Sequence, residues 1–561
     1  MTVRANAAIY YVPAGYSTAG PQLMGIQAAS EGLLRAMAVH AGVDRLHAFA
    51  ETRDSGDAFA EAVRGFNPDM PTAWIPTSEA ERVAHLGTLL LPGPGLAAYG
   101  WMRRRVGASA FSLCGVTHTT ATPLVLDALA ELWTAPVELW DAVICTSSAV
   151  RSMVAAVLED QRLYLEDRFG SILAEGPQLP VIPLGVDTEP LAEDSGRRVA
   201  WRLKLGIGED DVALLFVGRL NPIAKSHPIP LFLAAAAAAR RSAVRLHLIL
   251  AGWFSQPGLE QAYREAADQI CPEVTLTVVD GRTPDVRAGV WRAADIFVSP
   301  VDNIQETFGL SPVEAMAAGL PVVVSDWDGY RETVRDGIDG LLIPTLAPPG
   351  GSAPDLARDY GARTLDYDGY VGASSQSTAV DVSAFAEAIA ALAADPARRR
   401  AMGRKGRERA RNEYDWSRII PRYQALWLEL AARRSAALKM AGASFPARPD
   451  PFCAFASYPT APLTPQTRLG LGMTSPAMIE VLLSSPLVSF AAAWLPDAGV
   501  LATMVQRVEG GETDLEDLLT AEPPDRRAAA WRGIGWLLKY GLLAALPQSG
   551  LSPDKGSAAG R

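Results

Sequence analysis

The sequence predicts an α/β protein built from two doubly wound units, followed by a small helical module. Short apolar runs bounded by turn residues recur from Ala7 to Met440, and helical patterns separate them. This alternation is typical of parallel sheets with helices on both faces. The 561 residues allow about three to four domains. A content of 49% apolar and 20% charged residues is ordinary for a folded chain.

Charge and cysteine content exclude several classes of protein. The 51 basic and 62 acidic residues give a net charge of −11, which argues against a nucleic-acid partner. The four cysteines form no CxxC pair, which excludes a disulfide scaffold and a cysteine zinc site. No signal peptide and no uninterrupted run of about 18 apolar residues is apparent. We therefore expect a cytoplasmic protein, free or peripheral to the inner face of a membrane.

The expected organisation has four parts and one insert. Residues 1–182 form the first Rossmann-like domain and residues 183–440 the second, which the Gly/Pro/Ser/Asp-rich stretch 346–382 interrupts as a surface loop. The amphipathic helix from Trp416 to Met440 ends the second domain. Residues 441–465 form a proline-rich linker, and 466–561 a helical module with a disordered tail. The apolar segment 486–504 is predicted to form a buried pair of helices within that module.

The most informative segment is QETFGLSPVEAMAAGLPVV, which follows the strand ADIFVSP. We expect Ser311 to cap a short helix, with Pro312 at its first position and Glu314 in a capping box. A helix start preceded by a glycine suits an anion, because free amides and the helix dipole face the crevice. Glu306 lies just before that start, where a carboxylate suits sugar or ribose hydroxyls. A solvated loop residue for Glu306 and a structural cap for Glu314 remain alternatives.

A second segment, GRLNPIAKSHP, follows the strand VALLFV and carries two cations. Arg219 comes at the carboxyl end of the strand, and Lys225 follows six residues later. Ligands of doubly wound sheets bind beyond the carboxyl ends of the strands. Two cations at this place can neutralise a diphosphate, the arginine through its bidentate fork and the lysine as a point charge. A pair of ordinary surface cations is the alternative.

These segments together resemble the retaining, nucleotide-sugar-dependent glycosyltransferases of family 4, which have the GT-B fold. Glu306 and Glu314 resemble the E-x7-E signature of the family, and GRLNPIAKSHP is similar to its diphosphate loop. VIPLGVD is similar to the connection between the two GT-B domains, and DAVICTSSAVR to a late strand of the acceptor domain. The similarity runs in matching order from about Ala7 to Met440.

The resemblance implies transfer of a sugar from a nucleotide-sugar donor, with retention and with neither a metal nor a cofactor. Arg219 and Lys225 would hold the leaving diphosphate. Glu306 would bind hydroxyls of the sugar, and Glu314 those of the ribose. The acceptor, whether a glycan, a lipid or a protein, stays open.

Other site residues follow from the same resemblance. Phe308, Gly309 and Leu310 would approach the donor, the last two through backbone amides. Gly281 and Arg282, which follow the strand VTLTVV, would contact the base through the backbone. In the first domain the loop from Gly15 to Gly20 would face the donor, although it departs from the adjacent-glycine form frequent there. His118, at the end of a strand, resembles the histidine of the active site.

Several alternatives remain open at this level. The strings DWD (326–328) and DYD (366–368) resemble the metal motif of the other large glycosyltransferase fold, but chance supplies such strings in a chain of this length. A GT-B hydrolase, epimerase or phosphorylase would use the same crevice. The module 466–546 could act as a protein-binding, self-associating or purely structural element. The module could also be a winged-helix DNA-binding domain, but it carries few cations, which disfavours this interpretation.

Overall fold

The computed structural model describes residues 4–18, 25–170, 175–192, 194–437, 442–511 and 513–546. The chain divides into two compact units, Met1–Phe445 and Pro446–Arg561, and the first contains both α/β domains. Gly20 and the tail beyond Leu546 lie outside the described residues. The finer domain boundaries given above stay predictions.

The first domain is a six-stranded parallel sheet in the order β3-β2-β1-β4-β5-β6, with helices on both faces. Its strands are β1 (Ala8–Tyr10), β2 (Leu46–Ala50), β3 (Thr72–Pro76), β4 (Thr88–Leu91), β5 (Ser112–Val116) and β6 (Ala142–Ile144). Its helices are α1 (Gly25–His40), α2 (Arg53–Phe66), α3 (Ala97–Val106), α4 (Pro123–Ala130) and α5 (Ser148–Phe169).

The second domain repeats this plan in the order β12-β11-β10-β7-β8-β9, again parallel throughout. Its strands are β7 (Val212–Val217), β8 (Leu246–Gly252), β9 (Thr275–Asp280), β10 (Ile296–Ser299), β11 (Val322–Ser325) and β12 (Gly340–Ile343). Its helices are α6 (Ser195–Leu205), α7 (Pro228–Arg241), α8 (Leu259–Ile270), α9 (Pro284–Ala293), α10 (Leu310–Ala317), α11 (Tyr330–Thr333), α14 (Val382–Ala394) and α15 (Pro396–Arg409). The predicted GT-B architecture is confirmed by these two sheets.

Helix α7 illustrates why the second domain folds as it does. His227 accepts a hydrogen bond from the amide of Ile229, and Pro228 occupies the first helical position, where its missing N–H costs nothing. The alanine-rich run that follows consists of the best helix former. Leu231 and Phe232 are buried against the sheet, so burial of one face adds to this propensity.

The long helix α16 (Trp416–Ala436), which the sequence placed at the end of the second domain, packs on the first domain. Trp416, Tyr423 and Trp427 belong to the apolar cluster that covers one face of the first sheet. Burying three large aromatic rings there outweighs proximity in sequence, so the chain returns to the first domain. The segment 438–440 of the predicted helix lies outside the described residues.

The insert 346–382 is folded, so its prediction as a surface loop was wrong. It contains α12 (Pro354–Gly361) and α13 (Tyr367–Gln376). Two short strands, β13 (Thr345–Leu346) and β14 (Ala379–Val380), pair antiparallel and join its ends. Pro354 begins the first helix, and the carboxylate of Asp366 caps the second, so residues that suggested a loop are helix starts instead.

The second unit, by itself, is a helical module with one small antiparallel sheet. Its elements are α17 (Pro451–Ala454), β15 (Leu469–Leu471), α18 (Met478–Ser484), α19 (Pro486–Ser489), α20 (Ala498–Glu509), α21 (Leu515–Thr520), α22 (Arg527–Lys539) and β16 (Leu543–Ala545). The final segment GLLAAL, expected in a helix, contributes β16 because Gly541, with φ +68°, ends the helical course.

The segment 486–504 was expected to be a buried helical pair, and half of that expectation was wrong. Helix α20 is buried along Leu501, Met504 and Val505. Leu487, Phe490 and Trp494 instead are 84%, 82% and 69% exposed. The proline at each end of 486–496 leaves elements too short to turn every apolar side chain inward. Within the described ranges, no helix is long and apolar enough to cross a membrane.

A buried ion pair joins α3 to the strands β5 and β6 in the first domain. Arg103, 1% exposed, donates to both carboxylate oxygens of Asp141, at 2.5 and 2.9 Å. The same carboxylate accepts the amides of Leu113 and Glu138, at 2.7 and 2.8 Å. The charge of Asp141 is therefore fully compensated without water.

We predict that Arg103→Met lowers the free energy of unfolding by about 3–5 kcal/mol, because it leaves a buried carboxylate without its cation. Arg105→Met, an exposed change on the same helix, should alter it by less than about 0.5 kcal/mol. Urea unfolding of both full-length variants, followed by circular dichroism, measures the difference. Equal stability of the two variants would contradict the assignment of this pair as a structural requirement.

Candidate active site

The site is built from loops that leave the carboxyl ends of β5, β6, β7 and β10. Thr307, in the loop after β10, contacts the other domain twice. Its hydroxyl donates to the carbonyl of His118 at 3.0 Å, and its carbonyl accepts the hydroxyl of Thr146 at 3.3 Å. His118 follows β5 and Thr146 follows β6, so the crevice is closed at this point by direct hydrogen bonds.

Lys225 and Glu306 form the central ion pair of the site. The ammonium nitrogen lies 2.5 Å from Oε2 of the carboxylate. Burial would raise the pKa of Glu306, but the charge and hydrogen bond of Lys225 hold it below its usual value, with help from the amides of Thr307 and Phe308. Glu306 is therefore ionised and pointed at a fixed cation. The interpretation of Glu306 as a solvated loop residue was wrong.

Arg219 reaches the same loop from β7. Its Nη2 donates to the side-chain carbonyl of Gln305 at 2.8 Å and to the backbone carbonyl of Ala224 at 2.9 Å. Burial lowers its pKa, although the guanidinium remains charged at neutral pH. Within the described part of the chain, no carboxylate lies within ion-pair distance of it. Its charge is therefore available to an anion, whereas that of Lys225 is already paired.

The helix start behind Glu306 differs from the sequence expectation. Helix α10 begins at Leu310 and is capped by Gly309, so Ser311 and Pro312 lie inside its first turn and no capping box forms. Gly309 has φ +92°, and a side-chain carbon there would lie 2.1 Å from the ring of Tyr330. Only glycine satisfies both constraints. The ring of Tyr330 thus sets where the helix begins.

Glu314 does not cap helix α10, so the structural alternative for this residue does not hold. Among the described residues, its carboxylate makes no hydrogen bond. Burial raises its pKa to about 7; Lys225 opposes this shift and Asp187 adds to it. A buried carboxylate that titrates near neutrality, behind a helix start, is a candidate ligand contact.

His118 is brought to the same place, but as a neutral group. Burial of its ring lowers its pKa to about 4, so the imidazole is uncharged at pH 7. It can accept or donate one hydrogen bond there but adds no positive charge. Phe308, also predicted at the site, is buried in the core below the loop, where it contacts the ring of Tyr414.

The remaining predicted donor contacts lie outside this cluster of hydrogen bonds. Gly281 follows β9, and its amide donates to the carbonyl of Gly252. Arg282 is half-exposed and donates to the carboxylate of Asp280 at 2.8 Å. Gly15 ends a turn at Pro13–Gly15 in open space. The roles of these residues, like those of the others, stay predictions.

Sequence reasoning missed the part that residues 328–332 play at the crevice. Asp328, at φ +45°, accepts the hydroxyl of Ser147 at 3.2 Å, and Glu332 accepts the amide of Ser148 at 2.6 Å. Both carboxylates therefore face the start of α5 in the other domain, where the helix dipole favours negative charge. The only sequence signal was the DWD string, and its first carboxylate, Asp326, instead pairs with Arg331.

Asp328 is a strained and buried carboxyl. Burial, together with the charges of Glu306 and Glu332, raises its pKa to about 7, against the opposing effects of the amide of Gly329 and the hydroxyl of Ser147. Its second oxygen is buried without a hydrogen-bond partner among the described residues. A left-handed conformation is tolerated by Asp and Asn better than by most residues.

Part of this site lies in a segment that matches a family model. Residues 211–358 match the family model described as Glycosyl transferases group 1. That segment holds Arg219, Lys225, Glu306 and Glu314. The chain resembles the group 1 glycosyl transferases.

Two relatives extend the match in sequence. A D-inositol 3-phosphate glycosyltransferase of Geodermatophilus obscurus is 36% identical over 195 residues, which are 34% of this chain and 41% of the relative. One of Nocardia farcinica is 33% identical over 219 residues, 38% of this chain and 45% of the relative. The chain therefore spans less than half the length of these two relatives.

Two solved structures are similar to this chain. Sucrose-phosphate synthase from Thermosynechococcus elongatus is 21% identical, with a TM-score of 0.47 over 77% of this chain and all of the other. Anabaena HepE in complex with UDP and glucose is 16% identical, with the same TM-score and the same coverage.

We predict that Asp328 contributes a loss of stability between pH 5 and pH 8, and that Asp328→Asn reduces this loss. With a pKa of about 7 when folded and 3.8 as the ordinary value, Asp328 binds more proton folded than unfolded between these values. The free energy of unfolding therefore falls as pH rises towards 7 and then levels off. The asparagine does not titrate and accepts the same backbone conformation.

Melting temperatures at several pH values measure this loss. Asp326→Asn, two residues away in an exposed ion pair, is the matched control and should keep the wild-type slope. Identical slopes in all three proteins would contradict the prediction.

Proposed function

We propose that this protein is a retaining glycosyltransferase that moves a sugar from a nucleoside diphosphate sugar to an acceptor, without a metal or a cofactor. The observation that carries the proposal is the convergence of Arg219, Lys225 and Glu306 with the start of α10 at one crevice. The match of residues 211–358 to the group 1 glycosyl transferases supports it independently.

The chemistry assigns a different task to each cation. Transfer leaves positive charge on the anomeric carbon and negative charge on the departing diphosphate. Arg219, which has no ion pair of its own among the described residues, neutralises the diphosphate together with the amides at the start of α10. Lys225 shares its charge with Glu306, so it both orients that carboxylate and supports the phosphate side.

The two glutamates differ in the same way. Glu306, ionised and held by Lys225, binds hydroxyls of the transferring sugar, where developing positive charge strengthens the contact. Glu314, which titrates near neutrality, binds the ribose hydroxyls of the nucleotide. Neutral His118 contacts the sugar from the other domain. Gly15, Gly281 and Arg282 line the donor through their backbones, and retention follows the family resemblance.

Donor and acceptor are proposed only as classes. Because HepE is described with UDP and with UDP-glucose, UDP-sugars are the first donors to test. D-inositol 3-phosphate, named in the relatives, belongs in the acceptor panel beside glycan, lipid and protein acceptors. Turnover of the donor without any acceptor, which no member of the acceptor panel diverts into a glycosylated product, would instead favour a hydrolase or an epimerase.

Other aspects of the proposal concern the whole chain. We place the protein in the cytoplasm, free or peripheral to a membrane. We keep self-association or protein contact through residues 466–546 as a proposal, which the exposed side chains of Leu487, Phe490 and Trp494 support.

We predict that Arg219→Ala weakens binding of the nucleoside diphosphate about ten- to hundred-fold, from the loss of a charged hydrogen bond. Transfer should fall by roughly 10²–10³-fold, as when an enzyme loses a donor to developing negative charge. Calorimetry with UDP, GDP and ADP, and release of product from the matching sugars, measure the two effects.

Arg282→Ala is the matched control for this experiment. Its side chain is half-exposed and bound to Asp280, and only its backbone is assigned to the donor. Its removal should leave both measurements nearly unchanged. An Arg219→Ala enzyme that binds and turns over like this control would remove the diphosphate assignment.

We predict opposite patterns for Glu306→Gln and Glu314→Gln. The first should leave nucleoside diphosphate affinity near the wild-type value while transfer drops steeply, because sugar contacts act on the barrier. The second should lower nucleotide affinity about tenfold. It should also reduce the gain in affinity expected for the wild type between pH 6 and pH 8, as Glu314 ionises.

Calorimetry at both pH values and product release, on both variants, separate these outcomes. Normal turnover of Glu306→Gln would contradict the assignment of Glu306 to the hydroxyls of the transferring sugar. Unchanged nucleotide affinity of Glu314→Gln at pH 8 would show that this carboxylate does not reach the ribose.

A further inference from the structure

The insert 346–382 crosses from one α/β domain to the other at the mouth of the crevice. On the first domain, the hydroxyl of Tyr360, in α12, donates to the carbonyl of Ala121 at 2.8 Å. The phenol of Tyr367, at the start of α13, lies beside the hydroxyl of Thr119. Both contacts fall on the short segment that follows His118. The insert therefore covers the loop that brings the histidine to the site.

On the second domain, the insert packs against the loop that carries both site cations. A side-chain carbon at Gly372, in α13, would lie 3.1 Å from Cγ2 of Ile223, so the helix approaches that loop closely. Arg219 and Tyr367 are electrostatic neighbours, and each affects the other's titration. The phenol of Tyr367 thus lies near Arg219 of the second domain and near Thr119 of the first.

The two helices of the insert are held together by a stacked pair of rings. The centroids of Tyr360 and Tyr370 are 4.1 Å apart, and the ring planes differ by 3°. This contact connects the tyrosine that binds the first domain to the helix that packs on the second. The position of Tyr367 is therefore fixed by contacts on either side of it in the chain.

Thr119 supplies an unused hydrogen-bonding group at this place. Its hydroxyl oxygen is buried and, among the residues that the structure describes, has no hydrogen-bond partner. It is close to the phenol of Tyr367, but the two form no well-aligned hydrogen bond. A buried hydroxyl without a partner costs about 1–3 kcal/mol, so a site with such a group is suited to a polar ligand.

We propose that Thr119 and Tyr367 bind a hydroxyl group of the acceptor, and that the insert forms the wall of the acceptor subsite beside Arg219. This inference rests on the proposed glycosyltransferase function and extends it to the substrate that the sequence left open. The acceptor group is an uncharged hydroxyl of a polyol or sugar. Arg219 is assigned to the donor diphosphate, and Asp368, next to Tyr367, adds negative charge that disfavours an anion there.

The experiment measures how the donor sugar partitions between water and a hydroxyl probe. The full-length enzyme is incubated with its donor in 1 M glycerol, and the glycosylated glycerol and the free sugar are quantified by mass spectrometry. Tyr367→Phe and Thr119→Val should each lower the ratio of glycosylated to free sugar by about three- to tenfold. Both should keep the wild-type affinity for the nucleoside diphosphate.

Tyr370→Phe is the matched control, since it removes a hydroxyl from the same helix while keeping the ring that stacks on Tyr360. It should leave the ratio unchanged. The double variant of Thr119 and Tyr367 should lose less than the product of the two single effects, because both groups bind one hydroxyl.

The outcomes separate this inference from the proposed function. A ratio that is the same in the wild type and in both variants overturns the acceptor subsite, as does a wild type that never glycosylates glycerol while consuming donor. A variant that loses nucleoside diphosphate affinity assigns these groups to the donor instead. Absence of donor consumption in the wild type, for every UDP-, GDP- and ADP-sugar, overturns the proposed function and this inference with it.

Discussion

The geometry of the site depends on Thr307, which joins the two α/β domains where the carboxylate of Glu306 is presented. Its carbonyl and its hydroxyl bond to Thr146 and to the backbone of His118. Both ends of this residue are thereby attached to the first domain, while its neighbour Glu306 is bound to Lys225 in the second. Separation of the domains would break these bonds and move Glu306 away from His118. Closure and assembly of the site are therefore one event.

Three carboxyl groups near Thr307 differ in charge because their neighbours differ. Glu306 has a cation at 2.5 Å and two amides, which together overcome the effect of burial on its pKa. Glu314 is buried too, but the same lysine acts on it only at longer range, and its pKa rises to about 7. Asp328 is also buried and lies close to two other acids, and its pKa likewise rises to about 7. The short contact with Lys225 thus keeps Glu306 ionised, while the two carboxyls that lack such a contact titrate near neutrality.

Short-range patterns predicted much of this site, and long-range contacts determined the rest. The apolar runs gave both sheets, and parallel strands place Arg219 and Glu306 at the same edge by geometry alone. The helix start was mispredicted because the ring of Tyr330, from a later helix, makes Gly309 the cap. The hydrogen-bond partner of Arg219 could not be predicted either, because Gln305 belongs to another loop. Neither contact leaves a periodic signal in the sequence.

The insert 346–382 was also mispredicted because its structure depends on contacts that its own sequence does not show. Helix α12 has only Leu356 and Tyr360 as large apolar side chains on its less exposed face, and this pair is too short a pattern for a helix to be recognised from the sequence. An isolated helix of this length is not stable in water, and its order must come from contacts such as that of Tyr360 with Ala121. That contact exists only while the first domain lies against the second, whereas the stack of Tyr360 on Tyr370 lies within the insert. The order of α12 therefore depends on contacts with two other parts of the fold, and neither contact can be read from its own sequence.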